Sequence, residues 1–230
     1  EPGRLPAFVD AARLLNIRGC SITIPHKIDI IPLLDKTSEN VREMGACNTL
    51  YRDGEKICGE NTDVIGFTAP LRKRSLSPET RVLVLGAGGV SRAAIAGLRR
   101  LGLANITLTN RRKERAEALC NEFGLLCAPW EERGDVPADL IINTTPLGMT
   151  GAQEHETPYP RAFQDNGIAY DLIYTPFQTR FLRDAAAAGW ETVSGLDMFI
   201  GQGDAQFHLW TGHHLPEEAI TAVTSALYGQ

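Results

Sequence analysis

The sequence predicts a two-lobed α/β protein, and three observations support this class. Residues 81–85 are a nearly continuous apolar run, typical of a parallel strand that is buried on both faces. A glycine-rich turn at residues 86–91 follows that strand directly. Helix-length and strand-length segments then alternate along the chain, as they do in a doubly wound sheet. Together these features favour a Rossmann-type parallel sheet joined to a smaller α/β lobe.

The smaller lobe is predicted to span residues 1–75. Residues 5–15 carry apolar side chains at helical spacing and should form a helix. A strand that contains Ile22 and Ile24 should end at Pro25, because proline has no N–H and a fixed φ. The remaining elements are expected as short helices at 28–34 and 38–44, a hairpin over 48–59 and a helix over 63–73.

Local signals mark the hairpin and the helix that follows it. Asp53-Gly54 is a dipeptide typical of hairpin turns. Thr62 or Asp63 is expected as the N-cap of the helix, because either side-chain oxygen can accept from a free N–H of the first turn.

The Rossmann lobe is predicted to span residues 76–198, after a polar linker that contains Pro78. Residues 199–230 should pack back on the first lobe. The strands are expected at 81–85, 106–109, 125–127, 140–143, 168–172 and 191–193. The helices are expected at 91–101, 113–122, 180–188, 196–210 and 216–227.

Composition excludes several classes of function. The chain has 230 residues and a net charge of -5, and no basic stripe indicates a nucleic-acid partner. No run of about 18 apolar residues is present, so no membrane span is expected. The five cysteines are odd in number and form no C-x-x-C pair, which favours reduced thiols, a cytoplasmic location and no metal site. A monomer or a homodimer is compatible with these features.

The turn after the apolar strand predicts a dinucleotide site. Gly86 permits a tight turn, and Gly88 lets the backbone approach a pyrophosphate. Ser91 is small and stands where the common fingerprint has its third glycine. The helix N-terminus then offers N–H groups to phosphate. The predicted contacts are Gly86, Ala87, Gly88, Gly89, Val90 and Ser91, and a purely structural strand-to-helix turn is the alternative.

The end of the next strand favours NADP over NAD. An NAD site usually has a carboxylate here to hold the ribose 2′-OH, but this chain has Asn110, Arg111, Arg112 and Arg115. A guanidinium can hold a 2′-phosphate through paired, charge-assisted hydrogen bonds. A solvated basic helix start is the alternative.

Lys27 and Asp63 are the ionisable pair predicted to carry the chemistry. A carbonyl that gains a hydride develops negative charge on oxygen and must acquire a proton. A partly desolvated lysine can stabilise that oxygen or donate the proton, and a neighbouring carboxylate can hold the lysine in place. Taken singly, an exposed lysine and a helix cap are the alternatives.

The order of these motifs resembles the shikimate dehydrogenase family along most of the chain. The matching segments are Ser21-Ile22-Thr23-Ile24-Pro25-His26-Lys27, Gly45-Ala46-Cys47-Asn48-Thr49-Leu50, Asn61-Thr62-Asp63, Asn110-Arg111-Arg112 with Arg115, Asn143-Thr144-Thr145-Pro146-Leu147-Gly148-Met149, Tyr170-Asp171-Leu172-Ile173-Tyr174-Thr175-Pro176 and Gly195-Leu196-Asp197-Met198 with Gln202. The resemblance implies NADP-dependent interconversion of 3-dehydroshikimate and shikimate, a step of aromatic amino acid biosynthesis.

The resemblance also implies roles for individual residues. Lys27 and Asp63 would be the catalytic pair of the smaller, substrate-binding lobe. The substrate would be bound by Thr23, Lys27, Asn48, Asp63, Tyr174 and Gln202. The cofactor would be bound by the glycine turn and by Asn110, Arg111, Arg112, Arg115, Thr144, Gly195 and Met198.

Two departures from the family pattern lead to further expectations. The family usually has Asn where Ser21 stands, and it begins with a strand and a serine loop that grips the substrate carboxylate. Nothing before Leu5 resembles that segment, so these 230 residues alone are expected to bind substrate weakly. The segment is expected either to be truncated or to lie in a fused domain upstream. The alternatives are a quinate/shikimate dehydrogenase of relaxed specificity, and a catalytically weak dinucleotide-binding regulator or fragment of a larger enzyme.

Overall fold

The structure is a computed structural model that describes residues 3–23 and 25–228. Within these residues the helices are α1 (Leu5–Leu14), α2 (Glu39–Met44), α3 (Thr62–Leu71), α4 (Gly89–Arg100), α5 (Lys113–Phe123), α6 (Arg180–Ala187), α7 (Gly195–Thr211) and α8 (Glu217–Tyr228). The strands are β1 (Gly19–Ser21), β2 (Lys36–Thr37), β3 (Thr49–Asp53), β4 (Lys56–Glu60), β5 (Val82–Leu85), β6 (Ile106–Thr109), β7 (Leu126–Cys127), β8 (Leu140–Asn143), β9 (Ile168–Asp171) and β10 (Glu191–Val193). The predicted α/β class is confirmed.

The described chain divides into two compact units. One combines the described parts of residues 1–66 and 200–230, and the other consists of residues 67–199. The division falls inside α3 and α7. The functional limits predicted from sequence (1–75, 76–198 and 199–230) stay predictions.

The second unit contains an all-parallel sheet in the order β7-β6-β5-β8-β9-β10. In chain order this is 3-2-1-4-5-6, the dinucleotide-binding arrangement, whose switch point lies between its first and fourth strands. Leu85 is in register with Thr109 on one side and with Asn143 on the other, and Asn143 is in register with Asp171. The carboxyl ends of four strands are therefore level at one edge of the sheet.

The central strand β5 is buried on both faces, as its apolar sequence predicts. Val82 and Val84 pack in one core with the helices of one side, whereas Leu83 and Leu85 pack in a second core with α6. Successive side chains of a strand point to opposite faces, so a strand covered on both sides must be apolar at every position.

The first unit contains a mixed sheet in the order β1-β3-β4-β2. β3 pairs antiparallel with β1 and β4, and the predicted turn at Asp53-Gly54 joins β3 to β4. Its core is built around buried apolar residues that include Val9, Ile30 and Leu50. This sheet supports the residues that follow β1 and precede β3.

Three predictions about the first unit are wrong in detail. β1 ends at Ser21 rather than near Pro25, because its partner β3 begins at Thr49 and offers no further ladder; Ile24 lies outside the described residues. The short helix predicted at 28–34 is confined to a 3-10 helix at Ile31–Leu33 that follows turns, since Pro32 cannot donate the N–H that a longer helix would need.

The third correction concerns the cap of α3. The helix begins at Thr62, so neither Thr62 nor Asp63 is its cap. Instead, the side-chain oxygen of Asn61 accepts from the Asp63 N–H at 3.1 Å. This is the usual bond from an N-cap side chain to the second helical N–H.

No helix among residues 3–23 and 25–228 is long and apolar enough to cross a membrane.

Candidate functional site

The predicted pair Lys27 and Asp63 is in direct contact. Lys27 Nζ donates to Asp63 Oδ2 at 2.8 Å, and the two side chains are 29% and 21% exposed. The Lys27 carbonyl accepts from the Cys47 N–H at 2.7 Å, which holds the turn after β1 against the residues that precede β3. Asp63 lies in the first turn of α3, where the helix dipole favours a carboxylate. The pair is therefore partly desolvated yet accessible.

Asn48 occupies the other oxygen of the carboxylate. Its Nδ2 donates to Asp63 Oδ1 at 2.8 Å and to Thr62 Oγ1 at 3.0 Å. Its Oδ1 accepts from the Thr62 N–H at 2.8 Å and from Thr49 Oγ1 at 2.7 Å. Because a backbone N–H can only donate, the Asn48 amide has one orientation, with its nitrogen facing Asp63.

The three other residues predicted to bind substrate lie on different segments of the described chain. Thr23 has an exposed side chain, and its carbonyl accepts from the His26 N–H at 2.9 Å. Gln202 is half-buried on α7. Tyr174 belongs to the other compact unit, where its ring stacks on Phe199 with centroids 5.2 Å apart. Substrate binding by these three residues stays a prediction.

The glycine turn has the strained geometry that its sequence predicts. Gly86 has φ +117°, and a Cβ there would lie 2.4 Å from Thr144 Oγ1. A Cβ at Gly88 would meet nothing within 4 Å, so space is open for a ligand to approach the backbone. Only glycine fits the first position without strain.

A chain of hydroxyl groups holds this turn in place. The Gly88 N–H donates to Ser91 Oγ at 2.9 Å, Ser91 Oγ bonds to Thr144 Oγ1 at 2.8 Å, and Thr144 Oγ1 donates to the Leu85 carbonyl at 2.8 Å. Ser91 is completely buried. Its hydroxyl therefore holds the turn through hydrogen bonds within the protein, whereas contact of Ser91 with the cofactor stays a prediction.

A cavity of about 250 Å³ opens at the carboxyl edge of the parallel sheet. Eight predicted cofactor residues line it: Gly86, Ala87, Gly88, Asn110, Arg111, Arg112, Arg115 and Thr144. Five others line it that were not among the predicted contacts: Trp130, Thr145, Pro146, Leu147 and Gln153. The predicted residues Gly89, Val90, Ser91, Gly195 and Met198 lie outside this lining.

The charge of the cavity fits an anionic nucleotide. Its described lining contains three arginines, at 111, 112 and 115, and no carboxylate. Asn110 links the two loops, because its Oδ1 accepts from the Ala87 N–H at 3.3 Å and its Nδ2 donates to the Arg112 carbonyl at 2.9 Å. A phosphate beside the ribose would meet guanidinium groups at this edge.

Two predicted cofactor residues are tightly packed. A Cβ on Gly195 would lie 2.5 Å from the carbonyl of Ile173, so this glycine permits a close backbone approach. Met198 is only 9% exposed and belongs to the core of the second unit.

Asp171 is a buried carboxyl group beside the cavity loop. It accepts from Asn143 Nδ2 and from the Ile173 N–H, each at 3.0 Å, and from Thr179 Oγ1 at 2.6 Å. Burial raises the pKa of Asp171 to about 7, although these hydrogen bonds lower it in part. Asn143 in turn accepts from the Thr145 N–H at 2.9 Å and donates to the Leu147 carbonyl at 3.1 Å. Asp171 thus supports the loop that lines the cavity.

The described residues contain no group of three or more His, Cys, Asp or Glu side chains arranged to hold a metal ion.

The strand order, the strained glycine turn and the cavity at the carboxyl edge define a Rossmann-type α/β protein. Residues 1–50 match the family model of the shikimate dehydrogenase substrate binding domain. Residues 71–132 match that of shikimate / quinate 5-dehydrogenase, and residues 195–223 that of the shikimate 5'-dehydrogenase C-terminal domain. The chain belongs to the shikimate dehydrogenase family, as its motifs predict.

Individual relatives support this assignment. The shikimate dehydrogenase (NADP(+)) of Pelobacter propionicus is 56% identical, and the match covers 99% of this chain and 83% of the relative. The structure of shikimate 5-dehydrogenase from Thermus thermophilus in complex with NADP(H) and shikimate is 35% identical with a TM-score of 0.84, over 99% of this chain and 85% of that one. The ligand-free 5-ketofructose reductase of Gluconobacter sp. strain CHM43 is 30% identical with a TM-score of 0.88, and the match covers 99% of this chain and 85% of that one.

Proposed function

We propose that this chain catalyses the reversible, NADP-dependent oxidation of shikimate to 3-dehydroshikimate. The observation that carries the proposal is the Lys27–Asp63 ion pair at 2.8 Å, fixed by Asn48, in a chain of the shikimate dehydrogenase family. The enzyme class and the cofactor agree with the names of the relatives, including one structure with NADP(H) and shikimate bound.

The ion pair supplies what alcohol oxidation requires from the protein. The hydroxyl proton must leave as the hydride leaves, and in the reverse direction the carbonyl oxygen must gain a proton. In the reverse direction the accessible Lys27 ammonium, which Asp63 holds, can donate a proton to the carbonyl oxygen and is left as an amine. In the forward direction the amine form of Lys27 takes the hydroxyl proton and becomes the ammonium. Asn48 keeps Asp63 in the orientation that faces Lys27.

The second unit would hold the cofactor through groups of two kinds. The tight turn at Gly86 and the open space at Gly88 would admit the pyrophosphate at the start of α4, and Arg111, Arg112 and Arg115 would bind the 2′-phosphate. Bound NADP+ would accept the hydride in the forward direction, and bound NADPH would donate it in the reverse direction. The loop that Asn143 holds would close the other side of the cavity.

We further propose that the enzyme acts in the cytoplasm as a monomer or a homodimer on this small molecule. Free thiols support a reducing compartment: Cys47, Cys58 and Cys120 are buried, and burial raises the pKa of Cys47 to about 11. A net charge of -5 without a basic stripe is contrary to a nucleic-acid partner.

A spectrophotometric assay tests the function. Shikimate, quinate and the reduced sugar product of the ketofructose reaction are each offered with NADP and with NAD, and formation of reduced nicotinamide is followed. Shikimate with NADP should give the highest kcat/KM. The matched control is Lys27→Met, which should lose turnover and still bind NADP by calorimetry. Equal turnover of quinate would support relaxed specificity, and no turnover with shikimate would refute the proposal.

A further inference from the structure

We infer that Gln206 is a positioning residue that, together with the Thr62 N–H, holds the hydrogen bonds reaching the Lys27–Asp63 pair in one direction. It lies on α7, 157 residues from Thr49 in the sequence, and is 6% exposed. The catalytic consequence rests on the proposed function, whereas the hydrogen-bond pattern belongs to the first unit regardless of it.

The connection is an unbroken series of hydrogen bonds. Gln206 Nε2 donates to Thr49 Oγ1 at 3.0 Å, and Thr49 Oγ1 donates to Asn48 Oδ1 at 2.7 Å. Asn48 Nδ2 then donates to Asp63 Oδ1 at 2.8 Å, and the other carboxylate oxygen accepts from Lys27 at 2.8 Å. Each member of the series is therefore bonded to the next, from the helix to the ion pair.

The direction of the series follows from groups that can play only one role. The Asn48 carbonyl can only accept, and it bonds to Gln206 Nε2 at 3.3 Å. The nitrogen of the Gln206 amide therefore faces β3, and its oxygen accepts from Ser21 Oγ at 2.8 Å. Because Thr49 accepts from Gln206, its single hydrogen is free for Asn48 Oδ1. That bond and the one from the Thr62 N–H reach the same oxygen, and together they keep the nitrogen of the Asn48 amide toward Asp63.

A simpler role for Gln206 would be to anchor α7 to the sheet. Trp210, one turn later on the same helix, already makes such an anchor, since its Nε1 donates to the Leu50 carbonyl at 2.9 Å. Gly19 makes room for it, because a Cβ there would lie 2.0 Å from the Trp210 ring. A buried amide costs free energy unless it is bonded, so packing alone would favour an apolar residue at position 206. Trp210 thus provides the matched control.

Two substitutions at this position separate the roles. Gln206→Glu keeps the shape, but an ionised carboxylate can only accept, so Thr49 must turn its hydrogen away from Asn48. Gln206→Met keeps the volume and removes all three side-chain hydrogen bonds. We expect kcat for shikimate oxidation to fall about tenfold in each variant, with KM for NADP unchanged. Trp210→Phe should lower the thermal midpoint while keeping the parental kcat.

A double-mutant cycle tests the path through Thr49. Thr49→Val keeps the branched shape and removes the hydroxyl, and alone it should reproduce the kcat loss of Gln206→Met. When Thr49→Val is combined with Gln206→Met, kcat should fall by less than about a further threefold, because both changes break the same series of hydrogen bonds. The kcat of Thr49→Val can also be measured alone, so the test remains possible if the Gln206 variants do not fold.

A spectroscopic measurement keeps this inference separate from the proposed function. The side-chain amide signals of Asn48, assigned by comparison with Asn48→Asp in 15N-labelled protein, should shift in both Gln206 variants and stay in place in Trp210→Phe. This readout needs no turnover, so an inactive parent would refute the function and leave the inference testable. Parental amide signals and parental kcat in the Gln206 variants, or fully multiplicative losses in the cycle, would overturn it.

Discussion

Replacing Asp171 by Asn should change how the stability of the second unit depends on pH. Asp171 is completely buried at the end of β9, and burial raises its pKa to about 7. An amide can keep the same partners, because its oxygen can accept from Asn143 and from the Ile173 N–H while its nitrogen donates to Thr179 Oγ1. Asp171→Asn therefore removes the ionisation and leaves most of the packing.

The size of the effect follows from the two pKa values. An aspartate in the unfolded chain has a pKa of about 3.9, so the folded value of about 7 lies about three pH units higher. Each pH unit corresponds to about 1.36 kcal/mol, which makes the full effect about 4 kcal/mol. Below about pH 4 both states are protonated and this stability is fully present. Between about pH 4 and about pH 7 only the unfolded chain releases its proton, so the free energy of unfolding falls as pH rises.

The assay is urea unfolding at about pH 5 and about pH 8, in a Trp210→Phe background. The remaining tryptophans, Trp130 and Trp190, then report on the unit that contains Asp171. The free energy of unfolding of Asp171→Asn, relative to the parent, should rise by about 3 kcal/mol between these two pH values.

The control for this experiment should show no such change between about pH 5 and about pH 8. Asp139 is half-exposed, and its hydrogen bond to the Arg81 guanidinium lowers its pKa. Its contribution to stability is fully present above the unfolded pKa of about 3.9 and is lost only as pH falls through the lowered folded pKa, so the free energy cost of Asp139→Asn should be the same at both pH values. If the difference between Asp171→Asn and the parent is the same at both pH values, the carboxyl does not hold a proton in the folded state and the reasoning fails.

Three further predictions concern the two candidate sites. Lys27→Met should lower kcat roughly a hundredfold while NADP affinity by calorimetry stays parental, and full activity would return Lys27 to an ordinary surface role. Arg111→Ala should reduce the preference for NADP over NAD at least about tenfold; a parent that binds both equally would contradict the arginine assignment. Gly86→Ala should cost about 1–3 kcal/mol of stability in urea and weaken NADP binding, because it combines a positive φ with a collision against Thr144. Gly102→Ala, with φ +79° and no atom within 4 Å, isolates the strain and should leave NADP binding unchanged.

Elements with a strong local signal could be predicted from the sequence. The limits predicted for β6, β8 and β10 are those of the structure, because short apolar runs bounded by polar residues leave little choice of register. The sequence also predicts the glycine turn, and the positive φ at position 86 agrees with it, because this backbone conformation requires glycine. The chemistry of a lysine held by a carboxylate, rather than any spacing, predicts the contact between Lys27 and Asp63, and the ion pair confirms that contact.

The support of the site could not be predicted in the same way, because its partners are remote in the chain. Asn48 meets Gln206 across 158 residues, and no local pattern distinguishes Gln206 from any other polar residue of an amphipathic helix. Its spacing from Gln202, four residues on one helix face, was the only available signal. The predicted cap of α3 is wrong for a related reason. Asn61, Thr62 and Asp63 can all cap a helix, and the choice among them depends on Asn48, which accepts from the Thr62 N–H. The residues proposed to carry the chemistry can thus be picked out from their types, whereas the residues that hold them in place are found only when the tertiary hydrogen bonds are traced.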